Sequence, residues 1–72
     1  MSLTYAPGHV ALGELLLYQG KVDDAVAELR TAVGLAPENA RAHAALAKAL
    51  DAKGLPEEAQ QEMRKAQEGA PR

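Results

Sequence analysis

Two histidines are the side chains in this 72-residue chain with the clearest capacity to bind a metal. His9 and His43 occupy equivalent places in two similar stretches, so they could lie near each other on neighbouring elements. A zinc site needs further ligands in matching geometry, and the chain has no third histidine and no cysteine. The pattern therefore predicts a packing role near the start of a helix, and we expect no metal and no cofactor.

Paired acids and hydroxyl groups are the remaining candidates for catalysis. Asp23–Asp24 and Glu57–Glu58 are of the type used in general acid–base chemistry. Each pair falls in the first turn of a predicted helix, where it complements the helix dipole, so we expect both to face solvent and be inert. Ser2, Thr4 and Thr31 have no histidine and acid at a spacing that indicates a nucleophilic triad. The sequence therefore predicts a protein that is not an enzyme.

Charge and hydropathy exclude further classes of function. The net charge is −2 with both signs interspersed, and no basic stripe indicates nucleic-acid binding. No apolar run approaches the ~20 residues that span a bilayer, because Glu14 interrupts the most apolar stretch. The N-terminus also lacks the basic start and long apolar core of a secretory signal. We therefore expect neither nucleic acid nor membrane as a partner.

The sequence pattern of the elements that must position these residues occurs twice, at a spacing of 34 residues. The recurring residues are His9, Leu12, Leu16, Gly20, Ala25, Ala32 and Pro37, which return as His43, Leu46, Leu50, Gly54, Ala59, Ala66 and Pro71. Leu29 is matched by Met63, and Gly13 by the small Ala47. A fixed period of this length is typical of stacked repeats, since each unit meets the same neighbouring environment.

Abundant alanine and few β-branched residues favour helix throughout the chain. Four helices are predicted, at 7–19, 22–35, 40–53 and from 56 to about 69–71. Gly20 and Gly54 end the first and third, Asn39 caps the third, and Pro37 prevents the second from continuing. Because the loops are only a few residues long, consecutive helices must be antiparallel, which gives two helical hairpins.

Small residues predict how each hairpin closes. Gly13 lies mid-helix, where glycine costs up to about 1 kcal/mol, so its use indicates a close approach by another helix. The alanines of the second and fourth helices are the expected partners at this crossing. The larger side chains are expected to fill the space around them: Leu12, Leu16, Leu29, Leu46, Leu50 and Met63.

Together these positions resemble the tetratricopeptide repeat family, whose 34-residue unit carries Leu-Gly, two spaced alanines and a closing proline. The resemblance implies an all-α fold of two stacked antiparallel helix hairpins, a fragment of an α-solenoid with four helices. It divides the chain into a tail or artificial start at 1–5, a first repeat at 6–39 and a second, C-terminal capping repeat at 40–72. All three aromatic positions of the family pattern are non-aromatic in both copies here.

The same resemblance implies a function as a protein–protein interaction module. In this family the first helix of each hairpin lines a concave face that commonly holds peptides or partner proteins. The candidate partner-binding residues are Val10, Glu14, Leu15, Leu17, Tyr18, Arg41 and Lys48. Some members grip chaperone C-termini with a lysine and an asparagine, where this chain has Val10 and Glu14, so that subclass is excluded. The alternative is an ordinary solvated face on which Glu14 pairs with Lys48.

The two ends of the repeat array differ in polarity. The fourth helix has Gln60, Gln61, Gln67 and Gly69 where the second has Val26, Ala27, Val33 and Leu35. A polar outer face predicts that no further repeat covers the fourth helix. The first helix is apolar nearly all round, with Val10, Leu15, Leu17 and Tyr18 beyond its hairpin positions, which predicts a covering partner: an upstream repeat, a foreign helix or, for this chain alone, a second copy in a homodimer. The alternative is that a leucine-rich helix remains exposed. Self-association without a peptide ligand and a positioning role within a larger enzyme are the alternative functions.

Overall fold

The computed structural model describes residues 6–68, and every regular element in that range is an α-helix. The helices are α1 (Ala6–Tyr18), α2 (Val22–Leu35), α3 (Ala40–Lys53) and α4 (Pro56–Glu68). α1 and α2 form hairpin 1, α3 and α4 form hairpin 2, and α3 also packs against α1 and α2. The all-α architecture of two stacked hairpins is confirmed. The predicted tail at 1–5 and the end of the fourth helix near Gly69 lie outside the described residues.

Local signals in the sequence set the ends of the helices. Gly20 and Gly54 adopt the left-handed conformation, with φ of 83° and 88°, which allows the chain to turn sharply after α1 and α3. In both turns the residue after the glycine donates its backbone N–H to a carbonyl five residues earlier. The side chain of Asn39 caps α3 by accepting a hydrogen bond from the backbone N–H of Ala42 at 3.2 Å. The predicted caps are therefore confirmed.

A close crossing of α1 and α2 explains the mid-helix glycine. A Cβ atom placed on Gly13 would lie 2.5 Å from Cγ of Leu29, whose side chain is completely buried. Any side chain larger than hydrogen at position 13 therefore collides with a branched atom that has no free space to enter. In hairpin 2 the equivalent residues are Ala47 and the unbranched Met63.

Two of the large apolar residues that were expected to fill the core, Leu12 and Met63, are exposed instead. Leu12 is 43% exposed and Met63 is 41% exposed, whereas Leu29, Leu46 and Leu50 are almost fully buried. Leu12 faces a side of α1 that no other described helix covers, while its counterpart Leu46 in α3 is covered by hairpin 1. Met63 lines an open groove between α3 and α4, together with Ala47 and Ala59. The expectation that both fill their hairpins is therefore wrong, because their burial requires a neighbouring repeat.

Candidate functional site

A groove lies between α1 and α3, the first helices of the two hairpins. It encloses a cavity of about 290 Å³ lined by Glu14, Leu17, Tyr18, Ala45 and Lys48. Leu17 and Ala45 provide an apolar floor, and the ionised side chains lie at the rim. The stacking of the two hairpins therefore brings together residues that are 27 or more positions apart in the sequence.

The charged side chains at the groove differ in whether they have an ion-pair partner. Arg41 donates two hydrogen bonds to the carboxylate of Glu14, from Nη2 to Oε1 at 2.7 Å and from Nε to Oε2 at 3.3 Å. This hydrogen bonding, together with the attraction of the negative charge, raises the pKa of Arg41 above its usual value. Within residues 6–68, Lys48 forms no hydrogen bond or ion pair. The expected Glu14–Lys48 pair is wrong, because the forked guanidinium of Arg41 takes both carboxylate oxygens.

The seven residues predicted to bind a partner are placed in different environments. Tyr18 is 90% exposed at the rim of the groove, and Leu17 is half-buried in its floor. Leu15 is exposed but lies about 200° around the helix from Leu17, so it faces away from the groove. Val10 is 1% exposed and belongs to the hydrophobic core. Val10 is therefore not available to a partner, and its prediction as a contact residue is wrong.

Each hairpin contains a histidine–glutamate pair that the sequence analysis did not identify. Nδ1 of His9 lies 2.7 Å from Oε1 of Glu28, and Nδ1 of His43 lies 2.8 Å from Oε1 of Glu62. Glu28 and Glu62 are themselves 34 residues apart, so the pair follows the same period as the histidines. The histidine–glutamate pair was therefore detectable in the sequence, because its glutamates repeat at the same spacing as its histidines.

The pair in hairpin 2 is the more buried one. His43 is almost inaccessible, and its Nε2 lies 2.6 Å from the backbone carbonyl oxygen of Pro37. Both ring nitrogens therefore lie within hydrogen-bond distance of an oxygen atom. Burial raises the pKa of Glu62, but hydrogen bonds from His43 and Lys65 outweigh it, and the net pKa lies below the usual value. His43 is thus a buried residue with an oxygen atom beside each ring nitrogen, whereas His9 is only partly buried.

Neither the histidines nor the acid pairs belong to a larger cluster of potential metal ligands among the described residues. No group of three potential metal ligands occurs in 6–68. Asp23 and Glu58 are exposed, as expected for first-turn acids, and each pairs with a base of the other hairpin: Asp23 with Lys53 at 2.9 Å, and Glu58 with Arg30 at 3.2 Å. Exposed pairs of this kind contribute little stability individually.

Comparison with known families agrees with the geometry. A family model described as tetratricopeptide repeat matches residues 10–72, which includes most of both hairpins. The chain belongs to the tetratricopeptide repeat family. Comparison with curated proteins gave no match. Tetratricopeptide repeats are in general non-catalytic scaffolds for protein–protein interaction.

The described helices also bear on the question of membrane insertion. None of the helices within residues 6–68 combines the length and the apolar character needed to cross a bilayer.

Proposed function

We propose that this tetratricopeptide repeat chain binds a segment of a partner protein in the groove between α1 and α3. The observation that supports this most directly is Tyr18, an aromatic side chain left 90% exposed beside an apolar-floored cavity. Tyrosine is over-represented at protein interfaces and among the residues that dominate their binding energy.

The size of the cavity favours a peptide side chain as its occupant. A volume of about 290 Å³ is at or below the lower limit of pockets that enclose a small molecule. It is sufficient for one or two aliphatic side chains, which would contact Leu17 and Ala45 beneath the ring of Tyr18. The groove therefore suits a segment that inserts an apolar anchor and continues along the surface.

Charge defines the second requirement of the partner. Arg41 already neutralises Glu14, and the ammonium group of Lys48 has no ion-pair partner within residues 6–68, so the rim is positive there. A carboxylate next to the apolar anchor would complement Lys48 and would be steered towards it over a distance of about one Debye length. We therefore propose a partner segment in which an aliphatic residue is adjacent to an aspartate or glutamate.

Selection from a library of displayed random peptides on the immobilised 72-residue chain tests this function. Selected peptides should share an aliphatic residue next to an acid. Their affinity, measured by fluorescence anisotropy, should fall by about tenfold or more for Tyr18→Ala and for Lys48→Glu. Both residues are exposed, so circular dichroism should show unchanged helix content.

Matched variants on α4 provide the control for this experiment. Gln61→Ala removes an exposed side chain, and Arg64→Glu makes the same change of charge as Lys48→Glu, both away from the groove. Neither should alter the affinity. An unproductive selection, or peptides that bind the Tyr18 and Lys48 variants as tightly as the original chain, would rule out the groove as the binding site.

Self-association through α1 is a second candidate function, and the exposure of Leu12 and Leu15 favours it. Among the apolar residues of α1, Leu12 and Leu15 lie on the exposed outer side, whereas Leu17 and Tyr18 face the groove and Val10 is in the core. A homodimer would therefore form through a surface separate from the groove. The two functions are compatible on one molecule.

A further inference from the structure

One side of α1 forms an apolar surface that no described helix covers. Gly8, Ala11, Leu12 and Leu15 follow one another at helical spacings of three, one and three, which places them on one face. We call these four residues the edge stripe. All four are exposed, with Leu12 at 43% and Leu15 at 51%.

The equivalent face of α3 shows what this surface is built to do. Its residues Ala42, Ala45, Leu46 and Ala49 are between 0% and 8% exposed, because α3 packs there against hairpin 1. The edge stripe occupies the same positions, with Leu15 larger than its counterpart Ala49 and Gly8 smaller than Ala42, yet it remains in contact with water. The edge stripe is therefore a surface suited to helix packing that no described helix covers.

The other outer faces of this chain do not complement the edge stripe. In α2, Val26 and Val33 already pack in the core beside α3. In α4, the corresponding residues are Gln60 and Gln67, both exposed. A head-to-tail contact between copies would bury these amides against leucines without hydrogen-bond partners, which is unfavourable. Of the outer faces of the four described helices, that of α1 is the one on which two exposed leucines, Leu12 and Leu15, lie side by side.

The edge stripe is complementary to itself in size. Its residues run small, small, large, large from the N-terminal to the C-terminal side: Gly8, Ala11, Leu12, Leu15. In an antiparallel pair of α1 helices, Leu15 of one copy lies opposite Gly8 of the other, and Leu12 lies opposite Ala11. The large side chains then occupy the space left by the small ones, which is the complementarity required of a two-fold interface.

Charge does not oppose this arrangement. The edge stripe contains no ionisable side chain. The ionisable groups of α1 that flank it, Glu14 and His9, pair with Arg41 and Glu28 within their own copy. No like charges are therefore placed directly opposite each other at the centre of the contact.

We propose that the edge stripe binds the edge stripe of a second copy of this chain, with the two α1 helices antiparallel about a two-fold axis. This inference rests on self-association, the second candidate function, and specifies its surface and geometry. The contact covers about two helical turns, which is less than the ~800 Å² per partner of a standard interface. The dimer is accordingly weak, with a midpoint at roughly 10–100 μM.

Sedimentation of the full chain over a concentration series from about 5 to 500 μM tests the association. The mass of the original chain should rise from 7.6 kDa to twice that value. Leu15→Glu should keep the chain monomeric over the whole range. Met63→Glu is the matched control, because it places the same charge on another exposed apolar residue outside the edge stripe, and it should still dimerise.

Disulfide trapping tests the geometry, since the chain has no cysteine of its own. Ala11→Cys places a thiol beside the proposed axis and should form a covalent dimer under mild oxidation. Gln61→Cys, on the exposed side of α4, should form one only at the slower rate of random collision. A chain that stays monomeric, a mass above that of a dimer, or equal cross-linking of the two variants would overturn the proposal.

The proposals for the two binding surfaces can be tested independently. Leu15→Glu should prevent dimerisation and leave peptide affinity unchanged. Tyr18→Ala and Lys48→Glu should weaken peptide binding and leave the sedimentation behaviour unchanged. Loss of one property alone therefore identifies which of the two proposals is wrong.

Discussion

Hairpins 1 and 2 place nearly the same residues in different environments. Leu12 and Leu46 are identical and occupy equivalent positions, yet the first is 43% exposed and the second 2%. The difference arises because hairpin 1 covers this face of α3, whereas no described helix covers the equivalent face of α1. In this fold the burial of a residue therefore depends on the neighbouring unit as much as on the unit itself.

The two histidine–glutamate pairs show the same difference in burial between the hairpins. The His9–Glu28 pair in hairpin 1 is partly accessible, whereas His43–Glu62 in hairpin 2 is nearly enclosed and has an additional contact to Pro37. Hairpin 2 thus contains the more buried copy of the leucine and of the histidine–glutamate pair. We expect equivalent substitutions to have larger effects in α3 than in α1.

Truncation of the equivalent leucines should give the largest difference between the hairpins. Leu46→Ala leaves a cavity in the core and should lower the free energy of unfolding by about 2–5 kcal/mol. Leu12→Ala should lower it by about 1 kcal/mol or less, because much of that side chain is already in water. Urea denaturation followed by circular dichroism, at a concentration below that of association, measures both. Equal losses would show that hairpin 1 does not cover α3 as described.

The close crossing in hairpin 1 should respond to an added methyl group. Gly13→Ala brings Cβ within 2.5 Å of Leu29 Cγ, and overpacking of this kind costs about 1–3 kcal/mol. The better helix propensity of alanine offsets up to about 1 kcal/mol, so the net loss should be about 1–2 kcal/mol.

A second substitution tests the cause of that loss. Gly13→Ala combined with Leu29→Met reproduces the Ala47 and Met63 pair of hairpin 2 and removes the branched atom from the crossing. The double variant should be more stable than the sum of the two single changes predicts, as measured by a double-mutant cycle. Strict additivity would show that the collision with Leu29 is not responsible.

The smallest effect concerns pH. The pKa of Glu62 is lower in the folded chain than its usual value near 4.5, so its charged form favours folding. This contribution is present above pH 4.5 and is lost as the pH falls through the lower folded pKa. Glu62→Gln should therefore be less stable than the original chain at pH 7 and should lose less stability between about pH 5 and pH 3.

Glu28→Gln makes the matching change in hairpin 1. It breaks the more accessible pair, so its cost at pH 7 should be smaller than that of Glu62→Gln. Thermal denaturation across the pH range measures both variants. If the Glu62 variant loses stability with falling pH as steeply as the original chain, the buried pair does not supply this contribution.

Helix positions were predictable from the sequence because local residues determine them. The glycines after α1 and α3, the asparagine before α3 and the 34-residue period gave the bounds of α2 and α3, and that of α1 within one residue. Gly13 was also predictable, since a costly glycine in a helix needs a packing reason, and Leu29 supplies it.

Side-chain partners were less predictable because they depend on how the helices cross. Val10 and Leu15 are both apolar residues of α1, and only the packing direction decides that the first is buried and the second exposed. Glu14 has Arg41 and Lys48 within the same groove, and the choice between them depends on guanidinium geometry. The His–Glu pairs were detectable in the period but not their degree of burial.

Each 34-residue unit carries both members of its own histidine–glutamate pair, which are 19 residues apart. Tandem duplication of the coding segment therefore adds both hydrogen-bonding partners together and leaves neither without the other. An engineered series of longer proteins can be made by inserting copies of residues 6–39 ahead of hairpin 2. In such a series the cooperativity of unfolding should increase with the number of units.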